Sequence, residues 1–483
     1  MHNVQLLING QSRPASSGKT FKRISPLDGS VAAIVASASL DDVDHAIESA
    51  HRAFAEWSTL APTERRARLL KAADLMEQRT AQFTQVGIQE TGSTAAWYGF
   101  NVQLGANMLR EAAAMTTQIT GQLLPSDIRG NIAMGVRAPC GVVVAMAPWN
   151  APIILAVRAI AMPLACGNTV VLKSSESSPT LHRMVAEILH ESGIGNGVIN
   201  VISHAAEDAA QVVSRLISHP LTKRVNFTGS TRVGKIVAQV AAQYLKPVLL
   251  ELGGKSPVVI LAQADLDAAV NAVVFGAFIN QGQICMSTER VLVDEAISAR
   301  FIEKLIDKTK TIHAGHPLTS AATLGLMESR RAAEHAHALL HDAQLKGALL
   351  PLGIQIQDTL MQPTLVINIT PDMRLYTEES FAPICTIQRF NGEDEAVALA
   401  NDSEFGLAAA VFSLDLAQAW SVANRIESGI CHINGPTVQD EANMPFGGLK
   451  HSGYGRFGGQ AAIAEFTELR WITMQTAPRH YPF

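Results

Sequence analysis

The feature that most limits how this chain can fold begins at residue 141, where short β-like runs alternate with helices. Gly141-Val142-Val143-Val144 reads as a strand and precedes an apolar helix from about Ile153. The strand Thr169-Val170-Val171-Leu172 passes through a polar loop at 173–179 into a helix at 180–192. Val198-Ile199-Asn200-Val201 and Val225-Asn226-Phe227-Thr228 continue the rhythm, and a helix over 232–243 follows. Strands separated by helices of this length imply a parallel, doubly wound sheet, hence an α/β fold. Upstream, residues 40–120 read as helices. Asp41 or Asp42 can cap one, and Thr63-Glu64-Arg65-Arg66 opens another with an apolar stripe through Leu69, Leu70 and Leu75. A second α/β stretch runs from about 252 to 450, and Phe466 to Thr473 alternates like an edge strand.

A chain of 483 residues exceeds one small core, so two or three lobes are expected. With 47% hydrophobic and 17% charged residues it can bury a large interior and still leave apolar surface for a partner subunit. A net charge of −5, with lysines and arginines scattered, argues against nucleic acid as a partner. The segment Met1 to Leu6 lacks the basic and long apolar regions of a signal peptide. The apolar run from Gly141 to Val157 approaches the length of a membrane span, but Pro148 and Pro152 interrupt it and Arg158 follows. Five cysteines at irregular spacing form neither a disulfide framework nor a paired metal site. The expectation is a cytoplasmic protein with no membrane segment.

Dinucleotide binding needs backbone N–H groups where a strand turns into a helix. Gly193-Ile194-Gly195-Asn196-Gly197 has suitable glycines but follows a helix and precedes a strand, so helix capping explains it. Thr228-Gly229-Ser230-Thr231-Arg232-Val233-Gly234-Lys235-Ile236 has the correct context. It also nearly spells a nucleoside triphosphate loop, but Ile236 stands where a hydroxyl must hold Mg²⁺. His335, His337 and His341 lie on a predicted helix, and without a further ligand of suitable spacing they read as a solvated face, so no metal site is expected.

Glu251-Leu252-Gly253-Gly254-Lys255-Ser256-Pro257 and Phe278-Ile279-Asn280-Gln281-Gly282-Gln283-Ile284-Cys285 resemble the two signature segments of the aldehyde dehydrogenase superfamily. Their interval, 285 − 251 = 34 residues, also fits. Pro148-Trp149-Asn150, Lys173-Ser174-Ser175-Glu176, Phe227-Thr228-Gly229-Ser230, Glu378-Glu379-Ser380-Phe381-Ala382-Pro383 and Pro445-Phe446-Gly447-Gly448 follow in the family's order. Ala382 replaces the usual glycine of its motif.

The chemistry is consistent with that resemblance. Hydride leaves an aldehyde carbon only after a nucleophile has made it tetrahedral, and a cysteine thiolate is suited to this. By resemblance Cys285 is that nucleophile, the Asn150 amide and the Cys285 N–H hold the developing alkoxide, and Glu251 activates the water that hydrolyses the thioester. Cys140, Cys166, Cys385 and Cys431 read as inert thiols. The resemblance implies NAD as cofactor. Lys173 and Glu176 would meet the adenosine ribose, and Gly229, Ser230 and Gly234 the pyrophosphate region. Glu379 would hold the nicotinamide ribose with Phe381 packing beside the ring, and Trp149 and Leu252 are further expected cofactor residues.

Trp97, Phe100 and Leu104 share a helical face, at i, i+3 and i+7. Such a stripe is ordinarily core, but in this superfamily the helix borders the substrate tunnel. Trp97, Phe100, Arg158, Ile284, Met286 and Phe446 are therefore the expected substrate residues, with Arg158, a charge in an apolar helix, available to a ring hydroxyl, to a semialdehyde carboxylate or to a structural ion pair. Trp97-Tyr98-Gly99-Phe100-Asn101-Val102, Cys285-Met286-Ser287-Thr288-Glu289-Arg290 and Tyr481-Pro482-Phe483 resemble the bacterial branch acting on hydroxybenzaldehydes such as salicylaldehyde and vanillin. The alternatives are a broad-range aliphatic or semialdehyde dehydrogenase, or a low-turnover structural or ligand-binding protein of the same fold. The resemblance further implies an NAD-binding domain over 1–119 and 141–251, a catalytic domain over 252–465, and a small β oligomerisation flap from 120–140 and 466–483. A tail strand exposing Phe466, Leu469 and Trp471 needs a covering neighbour, so a homodimer or homotetramer is expected.

Overall fold

The structure is a computed structural model and describes residues 1–483. Val142–Met146, Thr169–Lys173, Ile199–Ile202, Thr222–Thr228 and Val248–Glu251 form the parallel centre of an eight-stranded sheet. In space Val142–Met146 stands in the middle. The chain winds outward from it through Thr169–Lys173 to Ile199–Ile202, then returns to its other side with Thr222–Thr228 and Val248–Glu251. The reversal lies between Val142–Met146 and Thr222–Thr228, which pair directly with Val144 opposite Val225. Open α/β sheets take ligands at the carboxyl ends of their strands at such a reversal. Antiparallel strands finish both edges: Leu6–Ile8 and Gln11–Arg13 on one, Gly453–Tyr454 on the other.

These strands are covered on both faces, which is why they read as unbroken apolar runs rather than alternating ones. The helix Pro152–Ala165 between the first two is buried along its whole length, and that accounts for the apolar stretch beginning at 141. No helix is long and apolar enough to cross a membrane. Gly193, Gly195 and Gly197 take positive φ just past the end of helix Pro179–Glu191. They end that helix instead of cradling an anion.

Four helices precede the sheet, Leu40–Trp57, Pro62–Gln78, Thr80–Thr91 and Ala95–Met115. The first is capped differently from expectation. The Ser39 hydroxyl accepts from Asp42 N at 3.2 Å, and the Asp42 carboxylate accepts from Ser39 N at 3.0 Å. This reciprocal pair satisfies two donors at once, so serine is the cap and Asp42 its partner. The second helix opens at Pro62, with Glu64 accepting from Ala61 N at 3.0 Å. Before residue 40 the chain forms five strands, three of them only three residues long. Runs that short carry no readable alternation.

A second sheet has six strands, all parallel, in the order Thr364–Ile367, Ile384–Phe390, Thr288–Asp294, Ser256–Ile260, Ala408–Phe412, Ile430–Ile433. Only Leu252–Lys255 separates its first strand from the last parallel strand of the eight-stranded sheet. That link passes close to the second lobe: a Cβ on Gly254 would sit 2.2 Å from the Cys285 carbonyl oxygen.

A third, antiparallel sheet joins Gln122–Leu124, Asn131–Pro139 and Thr467–Gln475, with Trp471 opposite Gly135. Leu469 and Trp471 are exposed on it, Trp471 at 79%. Phe466 is not: the residue is 0% exposed and its ring packs on Phe457 at 6.4 Å. It precedes the strand and closes the main core, so the tail's exposed face begins later than the alternation suggests.

Candidate active site

Two cavities meet at the carboxyl ends of the central strands. The first, of about 400 Å³, lies at the sheet reversal and is lined by Trp149, Gly229, Ser230, Leu252, Glu379 and Phe381 among others. The second, of about 350 Å³, is mostly apolar and is lined by Trp97, Phe100, Arg158, Ile284, Met286 and Phe446 with further residues. Asn150, Leu155 and Cys285 face both. Cys285 thus stands at the junction, partly exposed.

A strained elbow delivers it there. Asn280 (φ 50, ψ 37), Gln281 (φ 57, ψ 31) and Gly282 (φ +67) are three successive left-handed residues. Such a conformation costs a non-glycine residue roughly 1–2 kcal/mol, so surrounding bonds must hold it. The Asn280 side chain accepts from Ser93 Oγ at 2.6 Å and donates to the Asn150 carbonyl at 3.0 Å. Gln283 Oε1 accepts from Glu328 N at 3.0 Å, and Ser287 Oγ donates to the Gly282 carbonyl at 2.9 Å. Gly282 cannot be replaced freely, because a Cβ there would lie 2.1 Å from the Ala382 carbonyl oxygen.

Asn150 follows the strand Val142–Met146 and is buried. Its Nδ2 donates one hydrogen to the Gln283 carbonyl at 3.0 Å, which fixes the amide and leaves its second N–H for the cavities that Asn150 and Cys285 both line. Its own carbonyl is held by Trp97 Nε1 at 3.0 Å as well as by Asn280. Glu251 ends the strand Val248–Glu251 and is 0% exposed. Neither of its carboxyl oxygens has a hydrogen-bond partner of ordinary geometry. Burial pushes this acid from its ordinary 4.5 to about 7, with Arg158 and the neighbouring Cys285 thiol pulling the other way. Burial, and then the Glu251 charge, pushes the Cys285 thiol well above its usual range. In the resting site the proton therefore stays on sulfur. Burial also raises the other thiols, Cys140 and Cys431 to about 11 and Cys166 to about 12.

The first cavity has the donor set for a nicotinamide dinucleotide. Helix Thr231–Gln243 begins at its edge, and Ser230, the residue before it, makes no side-chain cap. First-turn N–H groups without a capping oxygen suit a pyrophosphate. Glu379 lies against the Gly253–Gly254 backbone, accepting from Gly254 N at 2.9 Å, and burial and then nearby Glu289 raise it to about 8. Phe381 stacks edge-on to Trp149, ring centres 5.8 Å apart. The loop carrying both is anchored on Glu289, which accepts from Ser380 N at 2.8 Å and from Lys255 Nζ at 2.6 Å, both groups buried. Lys173 and Glu176 lie off this cavity, paired at 3.1 Å, with His204 Nε2 3.3 Å from Glu176. Burial works to raise Glu176, but Lys173 and His204 outweigh it and hold the carboxyl below its ordinary value.

Two expectations change. Gly234 does not line the cavity; it sits one turn into its helix, where a Cβ would meet the Leu252 side chain at 2.4 Å. Its small size lets the helix pack closely on Leu252, the first residue of the link between the two sheets. Of the readings open for Arg158 the structure shows the ion pair: its Nη2 donates to Asp440, side chains 5% and 9% exposed, and its guanidinium lies 3.9 Å from the Phe446 ring centre. An apolar helix tolerates the arginine because a carboxylate from residue 440 neutralises it. Leu104 belongs to the main core and not to the slot. His335, on the exposed face of helix Arg330–Leu345, borders the first cavity with Arg331. Sequence reasoning also passed over Ser93, Phe275, Ile279, Val438 and Asp440.

Fold and site together define the class. The sequence model of the aldehyde dehydrogenase family matches residues 13–472, and the chain belongs to that family. It is an enzyme that oxidises a small-molecule aldehyde with a nicotinamide cofactor. Within the family it is 56% identical to a vanillin dehydrogenase of Pseudomonas fluorescens over 482 residues, covering 100% of both chains. It is 46% identical to a salicylaldehyde dehydrogenase of Pseudomonas putida over 481 residues, 99% of this chain and 100% of the relative. Among solved structures, a salicylaldehyde dehydrogenase from Pseudomonas putida G7 complexed with salicylaldehyde superposes with a TM-score of 0.98 at 45% identity, covering 100% of both chains.

Proposed function

We propose that the protein oxidises an aromatic aldehyde, a benzaldehyde or hydroxybenzaldehyde such as salicylaldehyde or vanillin, to its carboxylate with NAD. The lining of the second cavity carries this reading. Trp97, Phe100, Phe275 and Phe446 surround a slot that ends on Cys285, and its one cation is already neutralised by Asp440. A semialdehyde's carboxylate would find no net positive charge there, which counts against that alternative. The names of the relatives support the aromatic reading.

In the mechanism Cys285 sulfur adds to the aldehyde carbon as its proton passes to solvent, which leaves Glu251 free for the second half of the reaction. The Asn150 N–H and the Cys285 N–H donate to the oxygen that gains charge. Glu379 and Phe381 would hold a nicotinamide, which would supply the hydride acceptor when bound. Glu251 then removes a proton from the water that attacks the thioester, and the carboxylate product leaves Cys285 as the free thiol. For NAD over NADP, the carboxylate of Glu176 would accept from ribose hydroxyls and repel a 2′-phosphate.

We read residues 1–119 and 141–251 as the NAD-binding domain and 252–465 as the catalytic domain, with Gly453–Tyr454 returning to edge the cofactor sheet. Residues 120–140 and 466–483 form the flap, whose exposed Leu123, Leu469 and Trp471 a second copy would cover. A homodimer or homotetramer follows, and sedimentation showing a monomer alone would contradict it. The decisive assay is kcat/KM over an aldehyde panel. Ring stacking is worth about 0.5–1.5 kcal/mol per aromatic pair, so benzaldehydes should lead short aliphatic aldehydes by about tenfold or more. Acetaldehyde or succinate semialdehyde as the best substrate would overturn the reading.

A further inference from the structure

Beside the substrate slot lies a smaller pocket, lined by Met108, Ala112, Met162 and Met444 among others, with a volume of about 20 Å³. That is room for about one water molecule. Met444 and Glu441 on its rim are exposed, so it opens toward the surface. Three side chains, Arg158, Asp440 and Phe446, face both this pocket and the slot. The two spaces are separated by a wall one side chain thick.

The wall is locked. Arg158 comes from helix Pro152–Ala165 and Asp440 from a loop 282 residues later, and their ion pair closes one onto the other. Arg158 also lies over the Phe446 ring. Neither charge can swing aside without leaving the other buried and unpaired, a strongly unfavourable state. An apolar side chain in the same place could change rotamer at far lower cost. Beyond the wall, three methionines line the outer pocket, and their unbranched side chains readily reshape around a guest.

We propose that Arg158, Asp440 and Phe446 are the specificity-determining partition of this slot. It halts a ring substituent after a small group, and without it the slot runs on into the methionine pocket and accepts aldehydes with a long extension. This inference rests on the aromatic reading above for its choice of ring substrates.

The test compares kcat/KM for benzaldehyde, biphenyl-4-carbaldehyde and hexanal in wild type, in the Arg158→Ala/Asp440→Ala double variant and in Phe446→Ala. The double variant removes both charges together and avoids a stranded one. Phe446→Ala opens the wall while keeping the Arg158–Asp440 ion pair, so it decides the matter if the double variant does not fold. The ratio of biphenyl-4-carbaldehyde to benzaldehyde should rise by about tenfold or more in the opened variants, mainly through a lower KM for the longer aldehyde. Adding Ala112→Leu, which refills the outer pocket, should reverse the gain. An unchanged ratio in the opened variants, or a gain that survives Ala112→Leu, overturns the partition. If wild type handles hexanal as well as benzaldehyde while the opened variants still gain the longer substrate, the aromatic reading fails and the partition stands.

Discussion

The acidity of Glu251 gives the sharpest quantitative test of the mechanism. Its carboxyl is wholly buried and without hydrogen-bond partners, and burial carries it from 4.5 to about 7. That rise corresponds to about 3 kcal/mol in favour of the neutral acid. With a midpoint near 7, about 3% of the enzyme carries the base form at pH 5.5 and about 90% at pH 8. Thioester hydrolysis should therefore quicken about thirtyfold across that interval, whereas a carboxylate left at 4.5 would be about nine-tenths ionised already at pH 5.5. Steady-state turnover of benzaldehyde, followed by reduced-cofactor absorbance, reads the limb; the pre-steady-state burst reads acylation separately. In Glu251→Gln the limb should vanish, turnover should fall by about a hundredfold or more, and acyl-enzyme should accumulate in intact-mass spectra. A wild-type profile that changes less than about threefold from pH 5.5 to 8, or a limb that persists in the glutamine variant, would refute the assignment. The same shift has a stability consequence. The folded protein binds this proton more tightly than the unfolded chain, so the contribution is fully present below pH 4.5 and is lost as pH rises through about 7.

Cys285→Ser should lower turnover to less than about a tenth of wild type while cofactor binding, measured by calorimetry, persists; more activity than that removes Cys285 as nucleophile. The kcat/KM ratio should favour NAD over NADP, and Glu176→Ser should narrow it; an equal or better value with NADP in wild type would mean that Glu176 faces elsewhere. Gly282→Ala forces a Cβ to within 2.1 Å of a carbonyl oxygen at φ +67, so the elbow must move and kcat should drop by about tenfold or more with the circular dichroism spectrum unchanged. Full activity in that variant would show that the elbow does not set the position of the thiol.

The parallel cofactor sheet was legible because its strands and helices alternate with a clear period. Its edge strand Gly453–Tyr454 was not, since two residues carry no pattern. Cys285, Glu251 and Asn150 stood in ordered motifs, and the structure brings them around one junction. Asp440 was invisible: it lies in a loop without a motif, and its partner is 282 residues away. The ion pair open to Arg158 therefore had no nameable partner in the sequence. Phe466 and Gly234 were misjudged for a related reason, because local sequence does not say which neighbour a side chain will meet. Ser39 displaced the predicted aspartate cap because two reciprocal hydrogen bonds satisfy more donors than one.

The link Leu252–Lys255 has a mechanical consequence. Glu251 terminates a strand of the eight-stranded sheet, while the Cys285 elbow leads into Thr288–Asp294 of the six-stranded sheet. The base and the nucleophile therefore ride on different bodies, and their alignment is only as good as the docking of one body on the other. Docking of this kind loosens before either sheet unravels. Turnover should consequently fail at lower denaturant concentration than far-ultraviolet ellipticity, making catalysis the more sensitive gauge of whether the two halves are seated.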